Sequence, residues 1–173
     1  MSHQELDFKN KLYRFLWNFI NLLVFRFTPV FMHKWRCLIL NLFGANVDMT
    51  AHIYPTVKIF NPRNLKMGKN SCLAPNTICF NVNNITISNN STISQNCHLC
   101  SASRKYTDYS MSLISKPIIV EENVWVAADV FIGPGVILKK CSVILARSVV
   151  VKSISPNSIV QGNPGKIVGK RKN

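Results

Sequence analysis

Acidic residues are scarce. Seven Asp and Glu stand against 21 Lys and Arg in 173 residues, a formal net charge of +14. The excess is dispersed, +4 over residues 1–46, +5 over 47–119 and +5 over 120–173, so it is not an appended basic arm. Such a charge suits an anionic partner, whether a phosphorylated cofactor, a lipid surface or a nucleic acid, and does not choose among them. Charged residues make up only 16% of the chain against 47% apolar, which excludes a disordered, self-repelling polymer. A long apolar run is also missing. Phe15 to Phe27 is the longest, broken by Asn18, Asn21 and Arg26, and falls short of the roughly 20 residues a spanning helix needs. A secretory signal is not expected: Met1-Ser-His-Gln-Glu-Leu-Asp carries acids where basic residues would stand. The expectation is a cytoplasmic protein, at most lying on the inner face of the plasma membrane. Cys97 and Cys100 have CxxC spacing, but no second pair completes a metal or redox pattern, so small buried thiols are expected. No zinc-finger, helix-turn-helix or aromatic stacking-sheet pattern is present, and a nucleic-acid partner is not expected.

What the sequence does have is a period. Apolar residues recur six apart as Val47, Ile53, Ile59; Met67, Leu73, Cys79; Ile87, Ile93, Leu99; then, after a break, Val120, Val126, Ile132, Leu138, Ile144, Val150. Between the first triplets the step is eight, so the larger period is 20. Four places after a rung stands a small or β-branched residue: Ala51, Val57, Ser71, Thr77, Ser91, Cys97, Ser103, Val124, Val130, Val136, Ser142 and Ser148. Three places after stands Asn70, Asn76, Asn90, Asn96, Asn123, Asp129 or Gly135, residues that tolerate left-handed backbone angles. Each unit therefore reads as a short strand and a corner. Three units make a triangular coil, and stacked coils make a parallel β-solenoid around an aliphatic axis. A helix repeats every 3.6 residues and cannot hold a six-residue ladder.

Four segments lie outside the ladder. Residues 6–27 carry Leu12, Phe15, Leu16, Phe19, Leu22 and Leu23 at helical spacing, and Pro29 ends or kinks that helix. Residues 30–43 form a second helix closed by Gly44. The helices either plug the open end of the solenoid or pack between subunits, or they anchor at a membrane surface through mixed aromatic and basic residues; peripheral membrane contact through 6–43 stays open. The break between Leu99 and Val120 is a long excursion of the kind that serves binding or chemistry. Residues 169–173 read as a frayed basic end. The domain reading is a helical appendage over 1–45, a solenoid over 46–168 with a loop at 100–119, and the tail.

The pattern resembles the hexapeptide-repeat acyltransferases, and among them the sugar O-acetyltransferases of colanic acid, capsule and O-antigen synthesis. Leu42-Phe43-Gly44-Ala45, Lys116-Pro117-Ile118, Asn123-Val124-Trp125-Val126, Ile132-Gly133-Pro134-Gly135-Val136 and Ser158–Lys166 carry the likeness. It implies a mainly β fold, a left-handed parallel β-helix with N-terminal α-helices and one loop excursion. It further implies acetyl-CoA as donor, no metal, a sugar or lipid-linked sugar as acceptor, and a homotrimer with the donor in a groove between neighbouring solenoids. By the same resemblance Trp125, Ala127, Ala128, Gly133, Ala146 and Lys152 line that groove, and Gly162, Pro164 and Lys166 close it. Leu138-Lys139-Lys140-Cys141 and Ile144-Leu145-Ala146-Arg147 lack glycines usual in the relatives, and Arg147 either crowds the groove or adds a phosphate contact.

Transfer to a hydroxyl needs a base, and the likeness puts a histidine at the sixth place of the unit that starts at Leu99. Here that residue is Arg104, followed by Lys105. Arginine stays protonated and cannot be a general base. Either His98, Tyr106 or Asp108 serves instead, or Arg104 stabilises the oxyanion or binds an acidic sugar or phosphate, or the protein is a catalytically silent relative that binds ligand or partners. His98 belongs to a different side of the triangle from Arg104. His3 and His33 fall in the appendage and His52 and His98 in separate coils, so a three-histidine metal site is not expected.

Overall fold

The computed structural model describes residues 8–171. Strands of two to four residues wind into a three-sided tube. The first wall stacks Asn46–Val47, Leu65–Met67, Ile85–Ile87, Ile118–Val120 and Ile137–Leu138. The second stacks His52–Ile53, Cys72–Leu73, Thr92–Ile93, Trp125–Val126, Val143–Ile144 and Ser158–Gln161. The third stacks Lys58–Ile59, Ile78–Phe80, His98–Cys100, Phe131–Ile132 and Val149–Val150. All these pairs are parallel, and equivalent rungs face one another: Ile53 meets Leu73, Leu73 meets Ile93, Ile93 meets Val126. Every rung is buried, none more than 4% exposed, so the axis is a file of aliphatic side chains. Each contributes about 1.5–3 kcal/mol on burial.

The corners follow from backbone chemistry. Asn70, Asn76, Asn90, Asn96, Asn123 and Asp129 take φ between 52° and 61°, and Gly135 takes 79°. Cys141 and Arg147 turn corners too, both at φ 59°, a conformation their side chains do not favour. Inward hydroxyls bond the carbonyl three residues back, as in Ser71 Oγ to Gly68 (2.7 Å) and Ser148 Oγ to Leu145 (2.7 Å). Of the twelve positions expected to point inward, eleven are buried and Ser103 is exposed. The chain has already left the coil there, in strand Ala102–Arg104, which pairs antiparallel with Leu113–Ser115. One corner, after the third wall, absorbs every irregularity. In the first coil it holds the short helix Pro62–Asn64, in the second Asn81–Asn84, and in the third the hairpin; later coils turn tightly through Gly133-Pro134-Gly135. That is why the period falls from 20 to 18.

Coils bond their neighbours in both directions, as Tyr54 N to Leu73 O (3.1 Å) toward the later coil and Asn90 N to Lys69 O (2.8 Å) toward the earlier one. The first coil has no earlier coil to satisfy the carbonyls on its open side. Two helices do it with side chains: α1 (Phe8–Ile20), extended by a π-helical turn over Asn21–Phe25, and α2 (His33–Leu42). Trp17 Nε1 donates to Ile59 (2.7 Å), Arg36 Nε to Ile53 (2.6 Å), Cys37 Sγ to Ala51 (3.3 Å) and Asn41 Nδ2 to Val47 (2.8 Å). The far end closes with a strand. Lys166–Lys170 folds back on Ser158–Gln161, and Arg171 N donates to Asn157 O at 2.7 Å. The frayed tail expected from Gly169 is thus ordered as far as Arg171, because it covers the last coil's open edge; residues 172 and 173 lie outside the described residues.

Candidate active site

The hairpin presents the positions expected to carry chemistry. Arg104 is exposed, and its guanidinium donates to Met111 O across the hairpin at 3.1 Å. Asp108 pairs with Lys105 at 2.8 Å, so the carboxylate that could have been a base is engaged beside a cation. Tyr106 stands almost fully in solvent, 84% exposed.

His98 lies on the third wall instead, half-buried on the outer surface. Its strand neighbours are Ile78 and Phe131, and the Phe131 ring meets the imidazole edge-on with centroids 5.5 Å apart. Partial burial lowers the imidazole pKa from its ordinary value. That shift favours the neutral ring, the state a general base requires. The hairpin leaves from the end of the same strand, which places Arg104 beyond the corner and off the wall.

The candidate donor residues frame that wall on both sides. Ala127, Ala128, Ala146 and Gly162 stack along the corner before it, tied coil to coil by Ala127 N to Ile144 O (2.8 Å), Arg147 N to Ala128 O (2.9 Å) and Val149 N to Gly162 O (2.9 Å). Gly133 and Lys152 turn the corner after it, and Gly133 N donates to Val150 O (2.9 Å). Trp125 is half exposed on the second wall, pinned by Nε1 to Ser94 Oγ at 3.1 Å. Pro164 lies in the turn from Gly162 to Gly165, which is fastened to the tube by Gly165 N to Val149 O (2.8 Å), and its peptide bond with Asn163 is cis. Lys166, exposed, begins the last strand.

The amides of Ala127, Gly133 and Gly162 are thus engaged inside the tube, Gly162 N to Ser148 Oγ at 3.1 Å. Those of Ala128 and Ala146 take no backbone partner among the described residues, and both corners reach the surface. Exposed cations nearby are Arg147, Lys152 and Lys166. These groups fit a long, amide-bearing, phosphorylated donor: small corners for close approach, free N–H groups for its carbonyls, point charges for its phosphates. The free amides and the role of Phe131 were beyond sequence reading; both follow only from the strand register.

Other groups stay apart from this region. Burial pushes the thiols of Cys37 and Cys97 up to about 11 and Cys79 to about 12, so these three stay protonated, and all six cysteines are free of disulfides. His33 stacks on His52 with centroids 4.8 Å apart, beside a cavity of about 530 Å³ at the opposite end of the tube. His3 lies outside the described residues. Among the described residues no three His, Cys, Asp or Glu gather as a metal site.

No protein-family model matches the chain. It is 33% identical over 156 residues to WcaF of Escherichia coli (strain K12), named as a colanic acid biosynthesis acetyltransferase, covering 90% of this chain and 86% of that one. The solved structure of a maltose O-acetyltransferase from Clostridium difficile 630 superposes with a TM-score of 0.85 at 25% identity, covering 98% of this chain and 91% of the other. A hexapeptide-repeat acetyltransferase of Vibrio cholerae O1 biovar eltor, solved with acetyl coenzyme A, superposes with a TM-score of 0.85 at 23% identity, covering 98% and 92%. The six-residue ladder, the triangular tube and the extent of the first match lead to one conclusion: the chain belongs to the hexapeptide-repeat acetyltransferase family, and its solenoid is that family's left-handed β-helix.

Proposed function

We propose that the protein moves an acetyl group from acetyl-CoA to a hydroxyl of a sugar in a surface polysaccharide or its lipid-linked precursor. The donor lies against the third wall, in a groove completed by the neighbouring solenoid of a homotrimer. Acetyl-CoA supplies the activated acyl carbon. Neutral His98 takes the proton of the attacking hydroxyl and returns it to the departing thiolate, so the imidazole is unchanged at the end. Ala128 and Ala146 offer N–H groups to the donor's amide carbonyls, Lys152, Lys166 and Arg147 meet its phosphates, and Trp125 packs along its length. Acetyltransferases named for colanic acid and for maltose among the relatives support a sugar acceptor.

The observation that carries this reading is the position of a half-buried imidazole on the wall framed by both groups of donor residues. The test is release of free thiol from acetyl-CoA with sugar acceptors. His98→Ala should lower kcat by about 10²–10⁴-fold with coenzyme A binding intact. In the wild type the pH–rate curve should rise to a plateau with its midpoint below the ordinary imidazole value of about 6.5. Unchanged kcat in His98→Ala removes the assignment of the base. A second reading, a silent relative that binds ligand without transfer, is favoured by Arg104 itself. It predicts coenzyme A binding with no thiol release, and a gain of transfer when Arg104→His restores an imidazole on the hairpin.

A further inference from the structure

Helix α1 has two apolar faces, and the wider one points away from the protein. Tyr13, Trp17, Ile20 and Val24 are spaced to face the tube; Trp17 is fully buried and the other three partly so. Leu12, Phe15, Leu16, Phe19, Leu22 and Leu23, at the same helical spacing on the opposite side, are each 51–70% exposed. Phe27, Val30 and Phe31 continue the patch toward α2 at 52–81% exposure. Soluble surfaces rarely leave so much contiguous apolar area uncovered. Among the described residues its rim has one sign of charge. From Phe8 to Val47 the chain holds Lys9, Lys11, Arg14, Arg26, Lys34 and Arg36 and no acid; Lys11, Arg14, Arg26 and Lys34 are exposed.

We infer that this face docks the protein on the surface of an anionic lipid bilayer, with α1 lying in the plane of the headgroups. Apolar side chains enter the acyl boundary and the basic rim meets lipid phosphates. Charge selects this occupant over a second copy of the chain. Among the described residues the face holds no acid to meet its own cations. No described helix is long and apolar enough to cross a membrane, so the contact is peripheral. The inference does not depend on acetyl transfer.

The test is co-sedimentation of the full chain with vesicles of phosphatidylcholine alone or with about one-third phosphatidylglycerol. Anionic vesicles should bind at least about tenfold more tightly, and the difference should shrink as salt rises. The double variant Phe15→Asp/Phe19→Asp should lose about tenfold or more of the partitioning with an unchanged melting curve. Should that variant unfold, Lys11→Glu/Arg26→Glu tests the rim with the apolar face intact. Failure of the wild type to bind anionic vesicles at low salt overturns the inference. So does equal binding to both vesicle types. So does a Phe15→Asp/Phe19→Asp protein that keeps its vesicle binding but dissociates in sedimentation velocity, which assigns the face to contact between copies. The melting curve, not transfer, is the control for folding, so loss of docking and absence of acetyltransferase activity are read separately.

Discussion

The tube and the helical lid solve the same problem by different means. Each must bury apolar side chains and satisfy backbone groups, yet in the tube both tasks belong to a repeat. Ile53, Leu73, Ile93 and Val126 sit one above another, and within the stack each coil's carbonyls are met by a neighbouring coil's amides. In the lid each task falls to one residue with no copy elsewhere. Trp17 fills the mouth of the tube and donates to Ile59, while buried Arg36 reaches Ile53, Thr28, Pro29 and Val30 with no carboxylate partner among the described residues. A repeat spreads an error over similar neighbours; a unique plug does not.

Two truncations set that contrast against itself. Trp17→Ala opens a cavity at the mouth and leaves the Ile59 carbonyl unpaired, so it should cost about 3–5 kcal/mol and release the lid before the tube. Ile93→Ala removes one rung from the middle of a stack and should cost about 2–5 kcal/mol, with the whole tube melting as one. Hydrogen exchange at Val47 and Ile53 separates the two: early exposure of the first coil only in Trp17→Ala is the expected result. Equal exposure in both variants would mean that the lid and tube form one cooperative unit.

At the corners the expected effects are smaller. Asn90→Ala keeps φ near 56° without the side chain that tolerates it and loses the bond from Asn70 Nδ2 (3.3 Å), so it should cost about 1 kcal/mol. Arg147→Gly relaxes a corner at φ 59° and should gain up to about 1 kcal/mol, while weakening donor binding if its charge meets a phosphate. Denaturant midpoints of the two variants, moving in opposite directions, check the pair.

The same contrast explains what could be read in advance. The ladder was legible because each rung repeats a constraint, so Val47 through Val150 announce one axis many times over. The lid was only half legible. The spacing of Leu12, Phe15 and Leu16 marks a helix, but periodicity cannot say which apolar face meets the tube, and the inward one, with Trp17, is the sparser. The missing glycines at Cys141 and Arg147 were visible, but not that neighbouring coils hold both residues at positive φ against their own preference. Ser103 was misplaced because a count of six runs through the start of a hairpin that strand pairing, not period, determines. In the candidate site, the departure at Arg104 was plain from sequence. The Phe131 ring beside His98 is 33 residues away, and only the register across the third wall brings it there.

Acidification offers the mildest probe of tube against lid. One histidine of each, His98 on the wall and His33 at the start of α2, has its pKa lowered, His98 by burial and His33 by burial with Arg36 and His52 adding to it, partly opposed by the Ile53 carbonyl. The unfolded chain takes up a proton near the ordinary value of about 6.5, whereas the folded rings resist until lower pH. Between those two points the unfolded state binds more protons, so stability rises with pH there. The contribution is whole above about 6.5 and is lost as the pH falls through the folded values. Asp48, held below the usual carboxylate range by the Thr50 hydroxyl and amide, acts only at more acid pH and does not confuse the window. Melting temperature should therefore be lower at pH near 5.5 than near 7.5, by less than the corner variants change it, because both rings keep contact with water. His33→Gln should remove more of that slope than His98→Gln, since protonated His33 would stand against the Arg36 guanidinium at 3.2 Å while His98 faces only an aromatic edge. A melting temperature that rises on acidification, or a slope untouched by either variant, would show that neither ring feels the fold as these contacts require.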